Sequence, residues 1–120
     1  MGSFASKVDS EIIHEQVRQH PVVMYAKDNC SFCSRAKEML KEEKIDFEEK
    51  NLDRMKSEDA TKTKALTNGL VFITRQTSLP QIFICGRFIG GFTHLEKLRT
   101  SNKLLEALAE CTGENSIREE

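Results

Sequence analysis

The sequence predicts one α/β domain, a small mixed sheet flanked by helices. Three observations carry this expectation. The chain has 120 residues, the size of a single domain. Short apolar runs suited to strands, Val22-Val23-Met24-Tyr25 and Ile82-Phe83-Ile84, are set among longer stretches of helical period. Two early strands joined through a helix favour a parallel pair, and a late hairpin adds an antiparallel one. The core is expected over about residues 12–110 of a single 1–120 domain, with a frayed polar tail at 114–120.

Taken in order, Val8, Ile12, Ile13 and Val17 recur at helical spacing, so a helix is expected from about Ala5 to Gln19. His20-Pro21 ends it, because the residue before proline is pushed out of the helical region. Val22 to Tyr25 is a buried strand, followed by the polar break Lys27-Asp28-Asn29. A helix then starts at the Cys30-Ser31-Phe32-Cys33 segment and runs to about Glu43. The alternation in Ile45-Asp46-Phe47-Glu48 suggests a second strand within residues 45–51. Ser57-Glu58-Asp59 reads as a helix start, with Gly69 giving either one kinked helix or two short ones. Pro80 introduces the strand Gln81 to Cys85, Gly86 turns the chain, and Arg87 to Gly90 returns. Thr93-His94-Leu95-Glu96 has capping-box spacing. Leu104, Leu105 and Leu108 give a last apolar face, stopped at Gly113.

Composition narrows the partners. A hydrophobic fraction of 38% lets a chain of this length build its own core. The net charge of −1 offers no broad cationic field for nucleic acid or an anionic membrane, so no nucleic-acid partner is expected. No apolar run approaches the ~20 residues of a transmembrane segment, and no secretory signal is legible, so a cytoplasmic, thiol-reducing location is expected. There the four cysteines call for a chemical role rather than a disulfide framework. Gly2 followed by Ser6 fits an N-myristoylation pattern, which would give weak membrane association; a chance match or a remnant beginning Met-Gly-Ser fits as well.

Cys30 and Cys33 carry the chemistry. Their two-residue gap, where strand gives way to helix, puts both sulfurs on the first helical turn. Unpaired N–H groups and the helix dipole there stabilise negative charge on Cys30. Thiolate pKa values at such positions fall within about 3.5–7.5, and the thiolate is the attacking species in disulfide exchange. Cys33, one turn in, is placed to resolve a mixed disulfide, and Lys27 adds positive charge nearby. The alternative, half a zinc site, needs a second close pair of ligands. Cys85, Cys111, His14, His20 and His94 are scattered and form none, so no metal is assigned. Cys85 reads as a small buried hydrophobe, and Cys111 as a thiol open to glutathionylation or an intermolecular disulfide.

Three segments, Tyr25 to Cys33, Thr77-Ser78-Leu79-Pro80-Gln81-Ile82-Phe83 and Gly90-Gly91-Phe92-Thr93-His94, resemble the signature segments of dithiol glutaredoxins. The resemblance runs from about Ile12 to Leu108, with the segments in the family's order. It implies a thioredoxin-like fold and a glutathione-dependent oxidoreductase that reduces glutathionylated or disulfide-bonded proteins. By the same resemblance Cys30 is the nucleophile and Cys33 closes the disulfide. Pro80 matches a cis-proline that exposes the Ser78-Leu79 backbone for strand-like pairing with glutathione. Lys27 would meet the glycyl carboxylate, and Phe32 would form an apolar wall. Gly90-Gly91 would allow close approach, and Thr93 and His94 would receive the γ-glutamyl end at a helix N-terminus. Core packing accounts for Phe92 as well as ligand contact does.

This chain departs from the family pattern in three places. Ser31 replaces a common proline, His94 stands where many relatives carry aspartate, and a glutamine is replaced around Thr67. Protonated His94 would repel the γ-glutamyl ammonium. The serine after the first cysteine also resembles relatives that hold a [2Fe–2S] cluster. In such a dimer Cys30 of each subunit and two glutathione thiolates would be the ligands, whereas the exchange enzyme is expected as a monomer. A thioredoxin reduced by a flavoenzyme fits less well, since no tryptophan precedes the cysteines.

Overall fold

The computed structural model describes residues 2–113, with side chains described from residue 10 onward. The 114–120 tail lies outside the described residues, and the acylation pattern at Gly2 falls at their edge, where side chains are not described. Helix α1 (Gly2–Arg18) leads into β1 (Val22–Ala26), α2 (Ser31–Glu42) and β2 (Glu48–Asn51). The chain continues through α3 (Leu52–Glu58), α4 (Ala60–Thr74), β3 (Gln81–Ile84), β4 (Arg87–Gly90), α5 (Phe92–Thr100) and α6 (Leu104–Thr112). The strands form one mixed sheet ordered β2-β1-β3-β4, parallel between β1 and β2 and antiparallel elsewhere.

Strands β1 and β3 are central and buried along their whole length, which is why they read as unbroken apolar runs. The two-residue period of a strand splits their side chains between two cores. Val22, Met24, Ala26, Ile82 and Ile84 pack against Cys33, Ala36 and Leu40 of α2, Leu95 of α5 and Leu108 of α6. Val23, Tyr25 and Phe83 face Ile13 and Val17 of α1 and Leu66 and Leu70 of α4. The buried Tyr25 hydroxyl donates to Gln16 Oε1 at 2.6 Å, tying α1 to the sheet. Burial pushes the titration of that phenol well up, and Glu48 adds to the effect.

Several boundaries differ from expectation for legible reasons. Helix α2 ends in a Schellman arrangement: Lys44 adopts φ 58° and the Ile45 N–H donates to the Leu40 carbonyl at 2.9 Å. Ile45 therefore anchors the helix end, and β2 begins only at Glu48. The helix expected from Ser57 begins instead at Ala60, capped by Asp59, and a separate helix that was not expected, α3, precedes it with Asn51 as its cap. Ser57 lies inside α3, and Gly69 is buried within a continuous α4. Helix α5 starts ahead of the Thr93 capping box, with Gly91 as its cap and His94 as its third residue. The stop at Gly113 holds, with φ 71°.

The cysteines need the largest correction. Cys85 is neither a plain hydrophobe nor Cys111 a free thiol: the two form a disulfide with Cα atoms 5.6 Å apart. Cys85 and Gly86 occupy the two-residue β3–β4 turn, both at positive φ (52° and 80°), a type I′ hairpin. That turn carries Cys85 to the last turn of α6. A disulfide framework thus exists beside the Cys30–Cys33 pair, and cysteine usage no longer argues for a reducing compartment. The bond closes a loop with a sequence separation of 26 that contains β4 and α5. Cys111→Ser is expected to cost about 2–4 kcal/mol of stability, read as a lower melting temperature in non-reducing buffer. The gap between variant and native protein should close when both are melted in excess reductant.

Candidate functional site

The loop after β1 is fixed before the first cysteine is reached. The Asp28 N–H donates to Asp53 Oδ2 at 2.9 Å, and Asn51 Nδ2 donates to Asp28 Oδ1 at 3.0 Å. Asn29 turns the chain at φ 52°, a left-handed conformation that asparagine tolerates. Cys30 then serves as the N-cap of α2, its Sγ accepting from the Cys33 N–H at 3.2 Å. The two sulfurs are bonded, with Cα atoms 5.2 Å apart. Cys30 is half-buried at the surface, whereas Cys33 is 1% exposed. Once the bond is reduced, the N–H that points at Cys30 Sγ favours a thiolate there, and Cys33 stays shielded beneath it.

A second loop comes up against that sulfur. Leu79-Pro80 is cis, and the Leu79 carbonyl oxygen lies 3.7 Å from Cys30 Sγ. Buried Gln81 holds this loop from below: its Nε2 donates to the Gln76 carbonyl at 2.6 Å and the Ser78 carbonyl at 3.3 Å. Its Oε1 accepts from Thr74 Oγ1 at 3.1 Å. Gln76 Nε2 in turn donates to the carbonyls of Ser78 (2.9 Å) and Pro80 (3.2 Å).

The third component is the start of α5. Gly90 adopts φ 118°, and a Cβ there would strike the His94 ring. A Cβ at Gly91 would lie 3.3 Å from the Pro80 carbonyl. His94 Nδ1 accepts from the Gly91 N–H at 3.2 Å, which requires that nitrogen to be unprotonated. The first-turn N–H groups of Phe92, Thr93 and His94 have no acceptor within the helix and can meet an anion.

Phe32, the cis-proline loop and the start of α5 border a cleft of about 270 Å³, which the contact of Leu79 with Cys30 Sγ links to the sulfurs. Phe32, Ser78, Leu79 and Pro80 line one part, and Gly91, Thr93 and His94 line another. Phe92 is buried, yet it also borders the cleft, so packing and contact coincide in one ring. Gln76 lines the cleft as well and was missed in the sequence, where no periodicity singles it out. Asp53 and Asn51 were missed for the same reason. Lys27 does not line this cleft: it lines a separate polar groove together with Cys30 itself, Asn29, Ser31 and Lys37. Thr67 is not among the cleft residues either; its hydroxyl donates to the Thr63 carbonyl at 2.9 Å. Among the described residues no group of three or more Cys, His, Asp or Glu is arranged to hold a metal ion, and no helix is long and apolar enough to cross a membrane.

Comparison with known proteins agrees with this geometry. The family model Glutaredoxin matches residues 22–89. The chain is 31% identical over 108 residues to the mitochondrial glutaredoxin-2 of Bos taurus, covering 90% of this chain and 66% of that protein. It is 33% identical over 113 residues to the chloroplastic glutaredoxin-C5 of Arabidopsis thaliana, covering 94% and 62%. The chain thus spans slightly less than two thirds of the length of these relatives. Their names place them in mitochondria and chloroplasts, so they give the cytoplasmic expectation no support. Among solved structures, a buckwheat glutaredoxin–glutathione complex superposes with a TM-score of 0.78 at 26% identity, over 89% of this chain and 93% of that one. The fold is thioredoxin-like, as the resemblance implied.

Gln81 is the buried support of the cleft. Replacing it with leucine leaves the Gln76 and Ser78 carbonyls without this donor. Gln81→Leu should therefore lose about 1–3 kcal/mol in denaturant titration.

Proposed function

The chain belongs to the glutaredoxin family, and from that premise we propose that it is a glutathione-dependent thiol–disulfide oxidoreductase. Its substrates on this reading are glutathionylated proteins and protein disulfides. The observation that carries the reading is the position of the accessible sulfur. Cys30 lines the polar groove that holds Lys27, and its sulfur is 3.7 Å from the carbonyl of Leu79, which borders the cleft with Phe32, Pro80, Gly91 and Thr93.

In this mechanism the Cys30 thiolate attacks the glutathionyl sulfur of a protein–glutathione mixed disulfide. The protein thiolate leaves, and Cys30 carries the glutathionyl group. A second glutathione, as thiolate, attacks that group, releasing glutathione disulfide and restoring the Cys30 thiolate. With a protein disulfide, Cys30 forms a mixed disulfide with the substrate, and Cys33 displaces the second substrate thiol. The resulting Cys30–Cys33 bond, the state of this structure, is then reduced by two glutathiones. The cis-proline loop would pair with the tripeptide backbone, and Lys27 would meet its glycyl carboxylate from the adjoining groove. The free N–H groups at Thr93 and His94 would receive the γ-glutamyl carboxylate. No observation favours cluster bridging by Cys30 over this exchange.

The test is turnover of a glutathionylated peptide by native protein, Cys33→Ser and Cys30→Ser. Cys33→Ser should keep most of the native rate with that substrate and lose the rate with a protein disulfide. Cys30→Ser should be inactive with both. A dead Cys33→Ser on the glutathionylated peptide would overturn the single-cysteine route. His94 gives a second test. An aspartate at that position adds negative charge beside the γ-glutamyl ammonium, so His94→Asp should lower KM for glutathione about twofold to fivefold, as expected for an exposed ion pair.

A further inference from the structure

Arg35 lies five residues past Cys30 on the exposed side of α2, and its setting differs from that of the ion-paired cations and from that of Arg75, which meets one ring, Phe72. Its guanidinium carbon is 4.6 Å from the centre of the Phe92 ring and 5.6 Å from that of Phe32. The two rings are themselves 6.0 Å apart. Phe92 is buried and Phe32 is 49% exposed, so the pair forms an aromatic wall with the cation held at its outer edge. Arg87, Arg99, Lys37 and Lys50 each pair with a glutamate. Arg35 has no hydrogen bond and no ion pair among the described residues; the two rings alone orient it.

A guanidinium fixed this way loses little further freedom when it meets a carboxylate, and it presents a planar fork of donors to it. Arg35 is absent from the lining of the cleft, although Phe32 and Phe92, the rings that hold it, border that cleft. A cation at the border of the cleft is placed for the polypeptide that carries the disulfide. We propose that Arg35 is a specificity-determining residue that reads an acidic side chain flanking the target cysteine of a glutathionylated protein. This rests on the proposed activity.

The experiment uses three glutathionylated peptides that differ only in the residue beside cysteine, which is Glu, Gln or Lys. Values of kcat/KM are measured for native protein, Arg35→Gln and Arg35→Lys at low and at physiological ionic strength. Native protein should prefer the Glu peptide over the Gln peptide by about threefold to fivefold at low salt, with the Lys peptide slowest. The preference should shrink as salt is added. Arg35→Gln should level the three peptides while keeping the Gln-peptide rate within about twofold of native; Arg35→Lys should keep the order with a smaller spread. An unchanged Glu-to-Lys ratio in Arg35→Gln overturns the inference and leaves the activity standing. A raised KM for glutathione with all three peptides also overturns it, since Arg35 would then serve the tripeptide. Absence of native turnover with every peptide defeats the activity itself, and this inference with it.

Discussion

The antiparallel pairing of β1 with β3 is the constraint on which the site depends. Its register sets Tyr25 opposite Gln81, so the end of β1 and the start of β3 lie at the same edge of the sheet. The chain leaving β1 reaches Cys30 within a few residues, and the chain entering β3 has just passed Pro80. Two loops separated by 49 residues in sequence are thereby brought to a sulfur–carbonyl distance of 3.7 Å. A one-residue slip of β3 along β1 would turn Ile82 away from α2 and bring Phe83 to that face, so the hydrophobic pattern that builds two cores also fixes the register.

Burial below the site and exposure at it follow from that edge. Gln81 is the first residue of β3 and is 2% exposed. An amide so placed must find partners, and it finds them in Thr74 and in the carbonyls of the loop above. The loop's buried support is thereby satisfied, and the loop carbonyls of Gln76 and Ser78 are held by the same amide. Hairpin β3–β4 then returns the chain to Gly90, where only a glycine fits beside the His94 ring, and α5 begins within reach of the cis-proline.

The strands, five of the six helices described, and the Cys30–Cys33 pair at a strand-to-helix junction were legible because each depends on local pattern, whereas α3 was not read. Strand periodicity and the apolar runs at Val22 and Ile82 are properties of neighbouring residues. Boundaries were less legible where a cap competes with a pattern. Asn51 and Asp59 outweigh the Ser57 signal, and Lys44 ends α2 in a conformation that composition does not announce. Gln76, Asp53 and the Cys85–Cys111 bond could not be read at all, since each is defined by a partner distant in the chain or by the shape of a loop. Lys27 was legible as a charge near Cys30; that the two share a groove apart from the cleft was not.

The two disulfides are the same bond in opposite electrostatic settings. Cys30 caps the N-terminus of α2, where a backbone N–H points at the sulfur and the dipole stabilises a thiolate. A thiolate stabilised in this way is both a ready nucleophile and a ready leaving group. Cys111 occupies the last turn of α6, where carbonyls converge: its Sγ is 3.8 Å from the Leu108 oxygen, and Cys85 Sγ is 3.5 Å from those of Ala107 and Leu108. Negative charge on either sulfur would face these oxygens and the negative end of the helix. Reduction therefore meets resistance at Cys85–Cys111 that it does not meet at Cys30–Cys33. The helix end at which a cysteine sits thus separates a bond suited to exchange from a bond suited to holding the hairpin.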